Sequence, residues 1–494
     1  MKMKRLLMIF LLFGMMSSCS INEEPTSFVN SDNYYQTEAQ IISGLNATYI
    51  PLRSIYNYTY LIVTEGVTDL MRVFSGTLDA QLDISPSNPR FGANMWQQGY
   101  LGVMRCNSII AATERAPLED DVKNRLLAEG MIMRAYYYWF LTSTFGDVPF
   151  YTEDVADAEV LDRIAKLPRM SAVDTRNYLI EELQEYVPHL PQQRTNDVSG
   201  NRSGAAMGWM MVGKLAQWNK RWDVARDAVN HLEQIYGNLA QYPIDDIMLR
   251  NKNTPESIFE IQFTYSETGL RVTTNAAALT MPTRGSGAIY DGVEIPELGD
   301  RATTWTALRP NNYFFQAVQR RDSEDARLDI NMAWEYNGVP FRSAATLPWL
   351  GPKFWSLDMA NTADGNNQKV FRYADALLMQ AENYMELQDP TESIRYLNMV
   401  RRRADLPDYT FRNWDLLREE IQKERARELL GEYQRKYDLV RWGIWYQTTY
   451  DYTDYESVKN NMLPCHEYYP IPDVEVVKSG YTLDNNAYDY YGRN

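Results

Sequence analysis

The stretch from Arg202 to Tyr236 constrains this chain more than any other. It contains two amphipathic segments, GWMMVGKLAQWNKRW and DVARDAVNHLEQIY, joined near Trp222–Asp223. Apolar residues recur every three or four positions in both, the period of a helix with one buried face. Small residues at Gly213 and Ala225 let two such helices approach closely. Val212 and Val229 supply the apolar seam, and the indole of Trp209 fills the groove toward a neighbouring pair. A second segment, YADALLMQAENYMELQDPTESIRYLNMVRRRA, Tyr373 to Ala404, repeats the arrangement with Ala381, Tyr384, Ser393, Leu397 and Val400. One such pair cannot bury its own apolar face, so the chain must stack its pairs on one another.

Both segments match the small, bulky and apolar positions of a tetratricopeptide helix pair. RLLAEGMIMRAYYYWFLTSTFGDVPF is a third helix-rich segment with an eroded signature. The uneven spacing of the three predicts a scaffold of a few pairs and not a regular solenoid. Further helices are expected over Ala39 to Tyr49, Met95 to Thr113, Asp121 to Thr144 and Thr175 to Tyr186, the last capped by Ser171 or Asp174. Residues 251–350 have a different texture. One strand, SIFEIQFTY, precedes Gly-, Thr-, Asn- and Pro-rich sequence with scattered aromatics. A region of that length without regular structure is functional or disordered, and its aromatic content argues against disorder. YYPIPDVEVVKSG, near the end, reads as irregular and not helical. The fold class is therefore mostly α, with few short strands and a loop-rich insertion.

The start of the chain carries an address. Lys2, Lys4 and Arg5 precede an apolar run from Leu6 to Met16, then Ser17, Ser18 and Cys19. The run has signal-peptide length and falls short of the roughly 20 residues that span a bilayer. The pattern resembles a bacterial lipoprotein box, in which the Cys19 sulfur is acylated after residues 1–18 are removed. Each buried methylene contributes about 0.8 kcal/mol, so several chains make a firm anchor. Glu23 and Glu24 resemble a surface-export signal. Removing residues 1–18 takes the formal charge from −16 to −19, since three basic and no acidic residues leave. Such a chain is a poor partner for nucleic acid or anionic lipid. Cys106 and Cys465 then remain, and their separation is a weak signal for a disulfide.

Catalytic and cofactor signatures are lacking. His189, His231 and His466 stand at no metal-ligand spacing, and no zinc-type Cys/His cluster exists. No Walker loop, dinucleotide fingerprint or nucleophile elbow occurs, so no cofactor or metal is expected. Glu424, Glu428 and Glu432 share a helix face, yet Arg425, Arg427 and Arg435 crowd them, which predicts ion pairs and not catalysis. Tyr136, Tyr137, Tyr138 and Trp139 surround a helix on every side and read as packing.

Several motifs together resemble the SusD/RagB family of outer-membrane nutrient-binding lipoproteins. They are SDNYYQTEAQIISGLNATYIPLR, WQQGYLGVMRCNSII, MRAYYYWFLTSTFGDVPFY, GNRSGAAMGWMMVGKLAQWNKRWDVA, RYADALLMQAENYMEL, LNMVRRRADLP, ERARELLGEYQRKYDLVRWG and the closing YYPIPDVEV with DNNAY. Each is weak alone; their order and spacing across the mature chain carry the resemblance. It implies a SusD-like fold with a signal peptide at 1–18, an N-terminal region at 19–245 and a C-terminal region at 246–494, forming one compact unit. It also implies a non-enzymatic lipoprotein on the outer face of the outer membrane, touching the membrane through its anchor alone. That protein would capture an oligosaccharide and deliver it to a SusC-like TonB-dependent transporter. A RagB-like peptide carrier, a hydrolase and a bare helical-repeat scaffold are the competing readings. Sugars present apolar C–H faces ringed by hydroxyls, so their site needs exposed rings with polar edges. The resemblance places it in loops, where the candidates are Asp69, Arg72, Phe74 and Phe91, then Tyr290, Trp305, Trp334, Tyr336 and Trp349.

Overall fold

Apolar periodicity at three- and four-residue intervals builds most of the molecule as helices that bury one face against the next. The computed structural model describes residues 34–74, 79–266, 268–281, 302–335, 348–356 and 359–486, and the backbone alone at 289–290, 293–294, 336 and 339–340. Helix α1 (Glu38–Thr48) opens on a capping box formed by Thr37 and Gln40. Then come α2 (Phe91–Arg115), α3 (Asp120–Phe145) and α4 (Ala172–Tyr186). Ser171 caps α4, its hydroxyl oxygen accepting from the Asp174 amide at 3.0 Å. The two expected pairs are α5 (Ala205–Trp218) with α6 (Trp222–Tyr236), and α7 (Tyr373–Glu386) with α8 (Pro390–Arg403). Each helix from α2 to α8 packs on its successor, so α6 meets α7 across the long insertion between them. Helix α9 (Trp414–Glu428) lies against α7, and α10 (Arg435–Arg441) follows.

Small residues set the spacing as expected. A side chain at Gly213 would press on Met379 of α7. Ser393 ties the α7–α8 pair by donating to the Ala381 carbonyl at 2.7 Å. Trp209 stacks on His231 at 4.0 Å, and Tyr384 on Tyr396 at 5.7 Å. All four residues of the Tyr136–Trp139 run are buried. The Tyr137 ring lies directly over Gly102 of α2, and its hydroxyl donates to the Thr48 carbonyl at 2.5 Å. A methyl group at position 102 would enter that ring, which its hydrogen bond prevents from retreating. Gly102→Ala is therefore expected to lower the unfolding free energy by about 1–3 kcal/mol, measured by urea titration. An unchanged midpoint would refute this packing.

The strands are short. β1 (Met71–Val73) pairs antiparallel with β3 (Leu308–Pro310), and β2 (Ser257–Ile261) with β5 (Gln368–Arg372). β4 (Trp349–Leu350) pairs with Met332–Ala333. Two expectations are corrected here. Within YYPIPDVEVVKSG, Asp473–Lys478 forms a helical turn and a half, α11, after Pro472. Proline presets the entry, while Asp473 and Glu475 suit the positive end and Lys478 the negative end. Of the three arginines expected to crowd the Glu424 series, Arg427 does pair with Glu424, at 2.7 Å, but the other two turn elsewhere. Arg425 pairs with Asp375 and Asp438, and Arg435 with Asp69. Glu424, Glu428 and Glu432 also meet Arg327 of the insertion, Lys353 just after it and Arg372 of β5. The insertion is thus locked to α9 by buried charge. Among the described residues, no disulfide joins Cys106 and Cys465.

Candidate functional site

The β1–β3 ribbon alternates inward and outward, and what it turns outward defines the site. Met71, Val73, Leu308 and Pro310 are buried, while Arg72 and Arg309 stand opposite one another on the outer face. Phe74 continues β1; its amide donates to the Ala307 carbonyl at 2.7 Å, and its ring is 55 % exposed. The Arg72 guanidinium lies 4.5 Å from the centre of that ring and the Arg309 guanidinium 5.3 Å from it. Arg309 also reaches the Trp349 ring at 5.3 Å, because β4 packs beside β3. Cation and ring therefore alternate in the order Arg72, Phe74, Arg309, Trp349. Trp305, two residues before Ala307, is 43 % exposed and set edge-on to Tyr58 at 4.9 Å. Its amide donates to the Ala278 carbonyl at 2.7 Å, which fixes the backbone that presents the indole.

A second aromatic pair adjoins this edge. Tyr313 and Tyr452 stack at 3.8 Å, with Tyr452 41 % exposed. Asp454 accepts from the Asn312 amide at 2.6 Å and from its side-chain amide at 3.1 Å. Arg72 donates to the Asp454 carbonyl at 3.1 Å, with the Asp454 carboxylate 3.8 Å away. Burial and the Asp69 charge push the Tyr313 phenol up to about 12, so it stays a neutral hydrogen-bonding group. Burial also pulls the Arg309 guanidinium down from its ordinary value, helped by the neighbouring charge of Arg72.

The expected site residues divide accordingly. Arg72, Phe74 and Trp349 come together around Arg309, and Trp305 is exposed two residues before Ala307. Asp69 does not belong with them, being fully buried with both oxygens held by Arg435. A carboxylate so committed has no edge left for a ligand. Trp334 is 5 % exposed, its indole donating to the Leu328 carbonyl at 3.3 Å, so it is a core residue. Phe91 opens α2 and packs on the central core. Tyr290 and Tyr336 are backbone partners in adjacent strands, and their side chains lie outside the described residues. Cys19 lies outside them too. Sequence reasoning missed Tyr58, Arg309, Tyr313, Tyr452 and Asp454. No local signal could have joined Asp454 to Arg72, since their contact is made only by folding.

These features define a class of protein: a helical scaffold that carries a candidate binding face of rings and cations on irregular segments. Among the described residues no cluster of His, Cys, Asp or Glu could hold a metal ion, and no helix is long and apolar enough to cross a membrane. Two family models match the chain, the SusD family over residues 255–490 and "Starch-binding associating with outer membrane" over residues 27–184. The chain belongs to the SusD/RagB family of non-catalytic nutrient-binding proteins. A SusD-like protein of Formosa agariphila is 26 % identical over 97 % of both chains. Among solved structures, a SusD homolog from Bacteroides thetaiotaomicron superposes with a TM-score of 0.75 at 19 % identity, over 92 % of this chain and 98 % of that one. A laminarin-binding SusD-like protein gives 0.72 at 20 % identity, over 90 % and 98 %.

Proposed function

We propose that this protein captures oligosaccharides at the cell surface, is held there by acyl chains on Cys19, and delivers its cargo to a SusC-like TonB-dependent transporter. The observation that carries the reading is the edge at which the exposed rings of Phe74 and Trp305 adjoin the partly buried Trp349, Arg72 and Arg309. Aromatic faces stack on the C–H faces of a pyranose, and guanidinium forks bind its oxygens at the rim. Membership of the SusD/RagB family supports the same role, as does the laminarin-binding relative at the level of fold. No bond is made or broken in this scheme; the binding free energy selects cargo and holds it until the transporter takes it. Residues 19–245 and 246–494 act in it as one body, with the ligand edge drawing on both, since β1 belongs to the first and β3 and β4 to the second.

The test is a binding survey of the mature chain by affinity electrophoresis and calorimetry, against a panel of polysaccharides and against peptide mixtures. Saturable binding to one class of glycan is expected. Saturable binding to peptides, with none to any glycan, would reverse the reading.

A further inference from the structure

We propose that the glycan taken at the Phe74–Trp305 edge is acidic, carrying carboxylate or sulfate groups that Arg72 and Arg309 receive. This rests on the glycan-binding reading above and names its substrate class. Arg72 and Arg309 are direct cross-strand partners, turned to the same outer face of the β1–β3 ribbon. Like charges placed directly opposite destabilise a sheet, so the arrangement calls for a compensating anion.

The protein supplies little of it. Among the described residues, Arg309 forms no ion pair, and its Nε donates to the Thr306 carbonyl at 3.3 Å. Asp454 stands 3.8 Å from Arg72, but its two oxygens already accept from Asn312. Arg72 is itself largely sequestered, with 12 % of its side chain exposed, and its Nε has no hydrogen-bond partner. The rest of the molecule behaves differently. Most buried guanidiniums elsewhere are matched by carboxylates, as Arg327, Arg372, Arg425 and Arg435 show, with Arg176, held by Thr142 and the Trp218 ring, as an exception. A chain with a formal charge of −16 has acidic residues to spare, yet sets one carboxylate, Asp454, beside Arg72 and, among the described residues, none against Arg309. A neutral sugar would leave the charge of Arg309 unmatched. A uronate or a sulfate ester would accept from both forks while its ring stacked on Phe74 or Trp305.

The experiment is calorimetry of the mature chain with polygalacturonate and alginate as carboxylate probes, a sulfated galactan as the sulfate probe, and laminarin as the neutral control. At least one acidic polymer is expected to bind about tenfold more tightly than laminarin, the factor one charge-assisted contact supplies. Which arm binds identifies the group. Arg309→Gln should weaken that binding about tenfold, Arg309→Lys less so, and raising salt from about 0.05 to 0.5 M should weaken it further. Should Arg309→Gln shift the melting temperature, Arg72→Gln and the salt series on the unaltered chain carry the test. Laminarin binding as well as every acidic polymer, and lost in Trp305→Ala, would overturn the acidic assignment and leave the glycan reading intact. Peptide binding with no glycan binding would overturn both.

Discussion

Replacing Arg372 by methionine is expected to lower the unfolding free energy by about 3–5 kcal/mol, the effect of breaking a buried ion pair from one side. The side chain is fully buried, and it donates five hydrogen bonds to Glu256, Glu428 and Glu432. Methionine conserves much of the volume, so the loss is electrostatic and not a cavity. Arg327, Lys353 and Arg403 remain near the same carboxylates and hold the effect within that range. In a chain of 494 residues this corresponds to a fall in Tm of roughly 3–5 °C, because unfolding entropy scales with length.

The loss should also depend on pH. Desolvation works against the charged forms of Glu256 and Glu428, but Arg403 and Arg372 outweigh it and hold both below the usual carboxylate range. Glu424, buried but facing Arg327 and Arg427, is brought down to about 2. A carboxylate lowered in the folded state contributes stability that is fully present above its unfolded value and is lost as pH falls through its folded value. The gap between the parent and Arg372→Met should thus be constant above pH 4.5, the ordinary glutamate value, and narrow on acidification below it. Working with the difference cancels Glu65 and Glu129, which burial raises to about 8 and about 7 and which have the opposite dependence. Equal melting temperatures at pH 7, or a gap that widens in acid, would refute the assignment of this network as a clamp between the insertion and α9.

The second large effect separates two tryptophans of the same insertion. Trp305→Ala should weaken glycan binding by about tenfold or more, as truncation of a central aromatic anchor does, while the melting temperature barely moves. Trp334→Ala should do the reverse. Its indole is packed in the core beside Phe315, with Arg321 over the ring, and removing it costs about 3–5 kcal/mol. Residual folded Trp334→Ala, studied well below its melting temperature, should still bind. Loss of fold in Trp305→Ala would mark that ring as packing and would remove the main support for the ligand edge.

The helical scaffold was legible in the sequence and the ligand edge only in part. Periodicity exposed the α5–α6 and α7–α8 pairs, and chemistry pointed to Ser171 as a cap and to Gly213 and Ser393 as close-approach positions. Each of those signals is carried by residues within a few positions of one another. Phe74, Trp305 and Trp349 were legible as aromatics in loop sequence, but so was Trp334, which is core. Nothing local tells an aromatic on a loop's outer face from one on its inner face. Asp69 shows the same ambiguity, since its partner Arg435 lies far along the chain.

By itself the sequence determined that this chain forms stacked helix pairs, because helical amphipathicity repeats over 3.6 residues and is complete within one element. It also offered Phe74, Trp305 and Trp349 as aromatics in the irregular segments between pairs. Only the tertiary structure decided which of those residues meet. Arg72 faces Arg309, Tyr452 stacks on Tyr313, and Arg327, Lys353 and Arg372 converge on one run of glutamates because distant segments cross there. Such contacts have no period along the chain and become definite only when loop closure is complete.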